Sequence, residues 1–85
     1  ENKLIAVFPN PANNELYFVM NNSELSGTIH ITIYDVNGRL VKQHDFESSS
    51  EQQKIDFNDV VSGVYFYKVT TNEETIKSDK VIVIK

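Results

Sequence analysis

Apolar and polar residues alternate singly along most of this chain, and a period of two restricts what it can fold into more than any individual residue does. A β-strand turns successive side chains to opposite faces, so alternation marks a strand with one face in a core. Glu15 to Met20 places Leu16, Phe18 and Met20 together, and Thr28 to Tyr34 does the same for Ile29, Ile31 and Ile33. A short apolar start, Leu4 to Phe8, comes before them. After them come Leu40-Val41, a fifth strand marked by Ile55 and Phe57, a sixth from Val64 to Thr71, and a last from Thr75 to Lys85. In the sixth, Tyr65, Tyr67 and Val69 are expected inward and Val64, Phe66 and Lys68 outward. Short strands parted by turn signals every 8–12 residues or so predict an all-β fold: a seven-stranded antiparallel immunoglobulin-like β-sandwich with Greek-key connections, rather than a closed barrel.

The turns carry their own chemistry. Phe8-Pro9-Asn10-Pro11-Ala12-Asn13-Asn14 ends the first strand, because Pro9 and Pro11 lack amide donors and asparagines tolerate unusual backbone angles. Asn37-Gly38 signals a hairpin, for which two registers compete. A two-residue turn sets Ile33 opposite Lys42. A three-residue loop with Gly38 in the left-handed region sets Ile33 opposite Val41, Asp35 opposite Arg39 and Thr32 beside Lys42. The second is expected here, since it keeps apolar with apolar and sets opposite charges across the strands, although it turns Gln43 inward. Val60, Gly63 and Tyr65 are spaced like a tyrosine corner, in which a tyrosine at the start of a strand returns its hydroxyl to upstream backbone. Glu47 to Gln53, serine-rich and charged, reads as a solvated loop.

Length and charge bound the rest. A chain of 85 residues is expected to form one domain over residues 1–85, with a thin core and a net stability of about 4–13 kcal/mol. A net charge of −4 with singly scattered lysines argues against nucleic acid, which calls for a basic stripe. Absence of cysteine leaves the compartment open. No apolar stretch approaches the ~18–20 residues of a spanning helix, and no secretory leader is visible. The sequence opens on Glu1 rather than methionine, so it is expected to be an excised part of a larger protein.

Catalytic chemistry is hard to assemble from these residues. His30 and His44 face each other across the hairpin in the chosen register, but two ligands are too few for zinc, so solvated surface histidines are expected. Asp35-Val36-Asn37-Gly38 resembles the start of a calcium loop and lacks its later carboxylates. Ser48, Ser49 and Ser50 have no nearby base or oxyanion hole, and Asp56 and Asp59 read as ordinary carboxylates at a strand end. Tyr17, Tyr34 and Phe66 could stack on sugar rings, though outward aromatics more commonly pack across strands. No enzyme, cofactor, metal or small-molecule substrate is expected.

The final segment, Lys80-Val81-Ile82-Val83-Ile84-Lys85, offers apolar groups to both faces and is bracketed by lysines. The strand before it should hold one edge through an Asn72-Glu73-Glu74 hairpin, leaving the other edge and outward-facing valines as a surface for a partner, by strand addition or by self-association. The simpler alternative is a central strand that only completes the core.

Four blocks together carry a family resemblance: Phe8 to Ala12 with the strand after it, Ile33 to Val41, Ser62 to Val69, and Lys80 to Lys85. In this order they resemble the type A C-terminal sorting domain of the type IX secretion system of Bacteroidetes, over nearly the whole chain. The resemblance implies the tail of a larger exported protein, folded in the periplasm in transit and then at the cell surface or outside the cell. It implies recognition by secretion machinery of the outer membrane, removal by a sortase-like peptidase, and release of the parent or its attachment to lipopolysaccharide. Gly63, Tyr65, Lys80, Val81, Ile82, Val83, Ile84 and Lys85 are the expected recognition residues, with Pro9, Pro11, Asn37 and Gly38 as structural turns. The rival reading from the same fold is an adhesion or carbohydrate-binding module.

Overall fold

The alternating segments become strands wherever they were expected. A computed structural model describes residues 4–20, 27–47, 52–72 and 74–85. It contains β1 (Leu4–Phe8), β2 (Glu15–Met20), β3 (Thr28–Tyr34), β4 (Leu40–Glu47), β5 (Gln52–Asp56), β6 (Gly63–Thr70) and β7 (Thr75–Val83). One sheet has the order β1-β2-β5 and the other β4-β3-β6-β7, with every strand pair antiparallel. The pairs β2–β5 and β3–β6 join strands distant in sequence, the mark of Greek-key connections. β4 stays beside β3 in the larger sheet, whereas a constant-type immunoglobulin domain places its fourth strand in the opposite sheet.

The core lies between the sheets. Leu16, Phe18 and Met20 of β2 are buried with Ile29, Ile31 and Ile33 of β3 and with Tyr65, Tyr67 and Val69 of β6. Burying an aliphatic or phenyl side chain of this kind contributes about 1.5–3 kcal/mol. Phe18 meets the Tyr67 ring edge-on, with centroids 5.3 Å apart, and burial pushes the Tyr67 hydroxyl up to about 12.

The central hairpin follows the sequence in its loop and departs from it in its register. Gly38 has φ 83°, its amide donates to Asp35 O at 3.0 Å, and the Asp35 amide donates to Arg39 O at 2.9 Å, which is the three-residue loop. Asp35 Oδ1 also accepts from the amides of Asn37 and Arg39, each at 2.9 Å. The Arg39 amide, above all, holds the Asp35 carboxyl below its ordinary value.

Beyond the loop a bulge in β4 pairs Tyr34 with Leu40 and Ile33 with Lys42. The expected pairs Ile33–Val41 and Thr32–Lys42 therefore do not form, and Thr32 lies opposite Gln43. One inserted residue reverses the facing of all that follow. Val41 packs against the core, Gln43 is exposed, and Lys42, His44 and Phe46 share the inward side of β3 partners Ile33, Ile31 and Ile29. Turning Gln43 outward avoids burying an amide without a partner, which is what the simpler register would have cost. The same bulge separates the histidines: His30 lies opposite Asp45 and His44 opposite Ile31, so they occupy opposite faces.

Lys42 and His44 close the margin between the sheets. Lys42 Nζ lies 2.7 Å from Asp59 Oδ1, and His44 Nε2 lies 2.8 Å from Gln53 Oε1. Gln52 and Gln53 belong to β5, opposite Val19 and Phe18, and not to the solvated loop expected for them. Ser48, Ser49 and Ser50 lie outside the described residues.

Candidate recognition surface

β7 pairs antiparallel along β6, with Gly63 opposite Val83, Val64 opposite Ile82, Tyr65 opposite Val81 and Phe66 opposite Lys80, while Glu73 of the expected hairpin lies outside the described residues. Residues directly opposite share a face, so the inward Tyr65 draws Val81 inward. Val81 and Val83 are 0% and 1% exposed, while Ile82 and Ile84 are 37% and 55% exposed. The expectation of outward valines is thereby corrected: the isoleucines face out.

The second edge of β7 is not open along its last residues. The Ala12 amide donates to Ile82 O at 2.7 Å and the Ile84 amide to Ala12 O at 2.8 Å, forming a parallel bridge between Ala12 and Val83. Asn10 extends this cover with its side chain. Its Nδ2 donates to Lys80 O at 3.3 Å and its Oδ1 accepts from the Ile82 amide at 3.1 Å. Pro9 and Pro11 on either side bring no amide donors, so the covering segment is itself a poor template for another strand.

Lys85 is fastened beyond the strand. Its amide donates to Ser62 Oγ at 2.9 Å, and its Nζ donates to Phe57 O at 2.7 Å and reaches Asn14 Oδ1 at 3.4 Å. The Phe57 amide in turn donates to Asn14 O at 2.8 Å. Beside this knot the Tyr65 hydroxyl donates to Val61 O at 2.7 Å, completing the tyrosine corner, a bond of roughly 0.5–1.5 kcal/mol. The Tyr65 ring lies against Gly63, where a Cβ would stand 3.5 Å from Cε1. A shallow depression of about 300 Å³ next to it is lined by Asp35, Arg39, Val41, Asp59, Val61 and Tyr65. The four sequence blocks singled out above therefore meet around one end of the sandwich. Asn10, Asn14, Val61 and Ser62 join the expected residues there. Their turn chemistry was readable, but partners up to 72 positions away were not.

The other chemical candidates are engaged structurally. Asp56 Oδ1 accepts from the Asn58 amide at 2.8 Å, and the Lys42 ammonium holds the Asp59 carboxyl below its ordinary value. Tyr17 stacks on Phe8 at 5.6 Å and donates to Glu15 Oε2 at 2.7 Å, which raises its pKa, while Tyr34 lies opposite Phe66. Among the described residues no three His, Cys, Asp or Glu side chains gather as metal ligands would.

The family model described as secretion system C-terminal sorting domain matches residues 6–85. The chain belongs to this family of type IX secretion sorting domains. Among solved structures, the sorting domain is similar to part of the crystal structure of dimeric latent PorU from Porphyromonas gingivalis, with a TM-score of 0.67 and 24% identity. The match covers 96% of this chain and 9% of that one, and at this identity the likeness is one of fold. No curated protein matches the sorting domain significantly. Family membership makes the domain a C-terminal signal of type IX secretion, serving export to the cell surface or the extracellular space.

Proposed function

We propose that residues 1–85 act as one folded export address for a larger parent protein. The domain folds in the periplasm, is read by the outer-membrane translocon, and is then cut from the parent by a sortase-like peptidase, which frees the parent or joins it to lipopolysaccharide. It performs no catalysis itself. The observation that supports this reading is the convergence of Asn10 to Ala12, Ser62 to Tyr65 and Lys80 to Lys85 through direct hydrogen bonds and strand pairing. Such bonds make the last residues part of a fixed surface rather than a linear tail. In it Gly63, Tyr65, Val81, Val83 and Lys85 hold the strand, while Lys80, Ile82 and Ile84 are presented outward. Strand addition along Lys80 to Ile84 would first have to displace Asn10 and Ala12.

The test is a leader-bearing fluorescent reporter fused to the domain, produced in a bacterium with an intact type IX system and in a translocon-deficient derivative. The expected result is extracellular or surface reporter only in the intact strain, shortened by about the 9.7 kDa of the domain. Equal distribution in the two strains would overturn the export reading, and export without shortening would overturn the cleavage step.

A further inference from the structure

The outward side of the larger sheet divides in two along its length. One row, Leu40, Tyr34, Phe66 and Lys80, runs in direct register through all four strands. Next to it Val64 lies opposite Ile82, and Ile84 follows beyond the strand. On the other side of that row come Gln43, Thr32, Lys68 and Ser78, then Asp45, His30 and Thr70, without one apolar side chain. Leu40, Val64, Phe66, Ile82 and Ile84 are all exposed. A contiguous apolar cluster on a small domain marks a place where something binds.

Charge says what kind of surface binds there. The chain is acidic at −4, yet the acids of this face, Asp45 and Glu47, lie toward its polar end. Lys80 ends the aromatic row and Lys68 borders it, and among the described residues neither forms an ion pair with a carboxylate. β1 leads back from the clamp into the other sheet. Phe8 precedes the Asn10 that clamps Lys80 and Ile82, whereas Leu4 lies four steps back along β1, roughly 13 Å away and in the other sheet. The edge of β7 beside the patch is already bonded to Asn10 and Ala12, which leaves the face itself as the open surface.

We propose that this apolar half-face is a docking surface for a protein of the export machinery that presents an apolar patch rimmed by carboxylates, laid flat on the sheet rather than added to it as a strand. This rests on the export reading above and names the chemistry of the partner. Phe66 and Ile82 are the central anchors, and Lys68 and Lys80 meet the rim and steer the approach.

The experiment uses the same reporter fusion with the complete domain in the intact strain. Phe66→Ser with Ile82→Thr, and separately Lys68→Glu with Lys80→Glu, are expected to lower export about tenfold or more. Gln43→Glu in the polar half is expected to leave it unchanged. Cooperative unfolding and the β-sheet circular dichroism of each purified domain establish that it is folded. If the apolar double variant unfolds, Ile84→Thr and the lysine pair carry the test. Undiminished export of folded apolar variants overturns the proposal, as does indifference to the lysine reversal. So does a sedimenting dimer of the unaltered domain that Phe66→Ser with Ile82→Thr dissolves, because the cover would then be a second copy. If the unaltered fusion is not exported at all, the export reading fails first and takes the docking surface with it.

Discussion

His30 faces oxygen at both ring nitrogens: Nδ1 lies 2.9 Å from Asp45 Oδ1 and Nε2 lies 3.4 Å from Asn72 Oδ1. Bonding both acceptors requires a proton on each nitrogen, so the geometry favours the imidazolium. The Asp45 bond raises the His30 pKa above 6.5, and the same bond lowers that of Asp45 below 3.8. A pKa raised in the folded state stabilises fully below the unfolded value and loses that contribution as pH rises through the folded value. For the lowered Asp45 the contribution is present above the ordinary carboxylate range and fades as pH falls through the folded value. Stability is therefore expected to decline as pH climbs past the His30 titration, and Asp45→Asn should remove this step and return His30 toward 6.5. NMR titration of His30 together with urea midpoints across this range checks both, and a His30 that titrates at or below 6.5 contradicts the linkage. The sequence showed this residue only as one of two histidines, because its role depends on a bulge that sets Asp45 opposite it. Tyr65 was readable, since its acceptor Val61 lies four positions upstream and the spacing is local.

The two outer strands of the larger sheet are protected by different means. β4 carries a bulge and turns Lys42 inward toward Asp59, both of which discourage pairing with another chain. β7 is instead capped over its last residues by Asn10 and Ala12. Asn10→Ala removes the Oδ1 acceptor of the Ile82 amide while leaving the Ala12 bonds in place. The Ile82 amide is expected to exchange with solvent markedly faster in this variant than in the parent domain, and the Ile84 amide, bonded to Ala12 O, much less so. Hydrogen exchange followed by NMR distinguishes them, and equal protection of Ile82 in both proteins would show that Asn10 does not close the edge. Strand existence and inward sets were legible because alternation is a local property, as in Ile29, Ile31 and Ile33. The β3–β4 register was not, because maximising apolar pairs near the loop favoured Ile33–Val41, whereas facing along all of β4 is decided by where Gln43 and Phe46 must go. The facing of β7 was also ambiguous, since valine and isoleucine alternate there and only the register with Tyr65 decides between them.

Closing the 35 × 21 × 19 Å sandwich depends on its last strand, because Val81 and Val83 are wholly internal. Two buried valines contribute roughly 3–6 kcal/mol, a large share of the ~4–13 kcal/mol available to a chain of this size. Removing residues 80–85 also takes the partners of Gly63 to Phe66 and of Ala12. This truncated domain is expected to be unfolded at room temperature, with collapsed amide dispersion in its NMR spectrum, and a dispersed spectrum would refute the dependence. Loss of export on truncation would accordingly report on folding, which is why surface substitutions such as Ile84→Thr are the cleaner probes of recognition. The alternating pattern revealed the architecture of the whole molecule. The meeting of its first loop with its last strand stayed hidden, since Asn10 and Lys80 stand 70 positions apart. That separation has a consequence for synthesis. A chain that ends before Ile82 offers neither the carbonyl that accepts from the Ala12 amide nor the Ile84 amide that donates back, so this edge is sealed only once the last strand has been made.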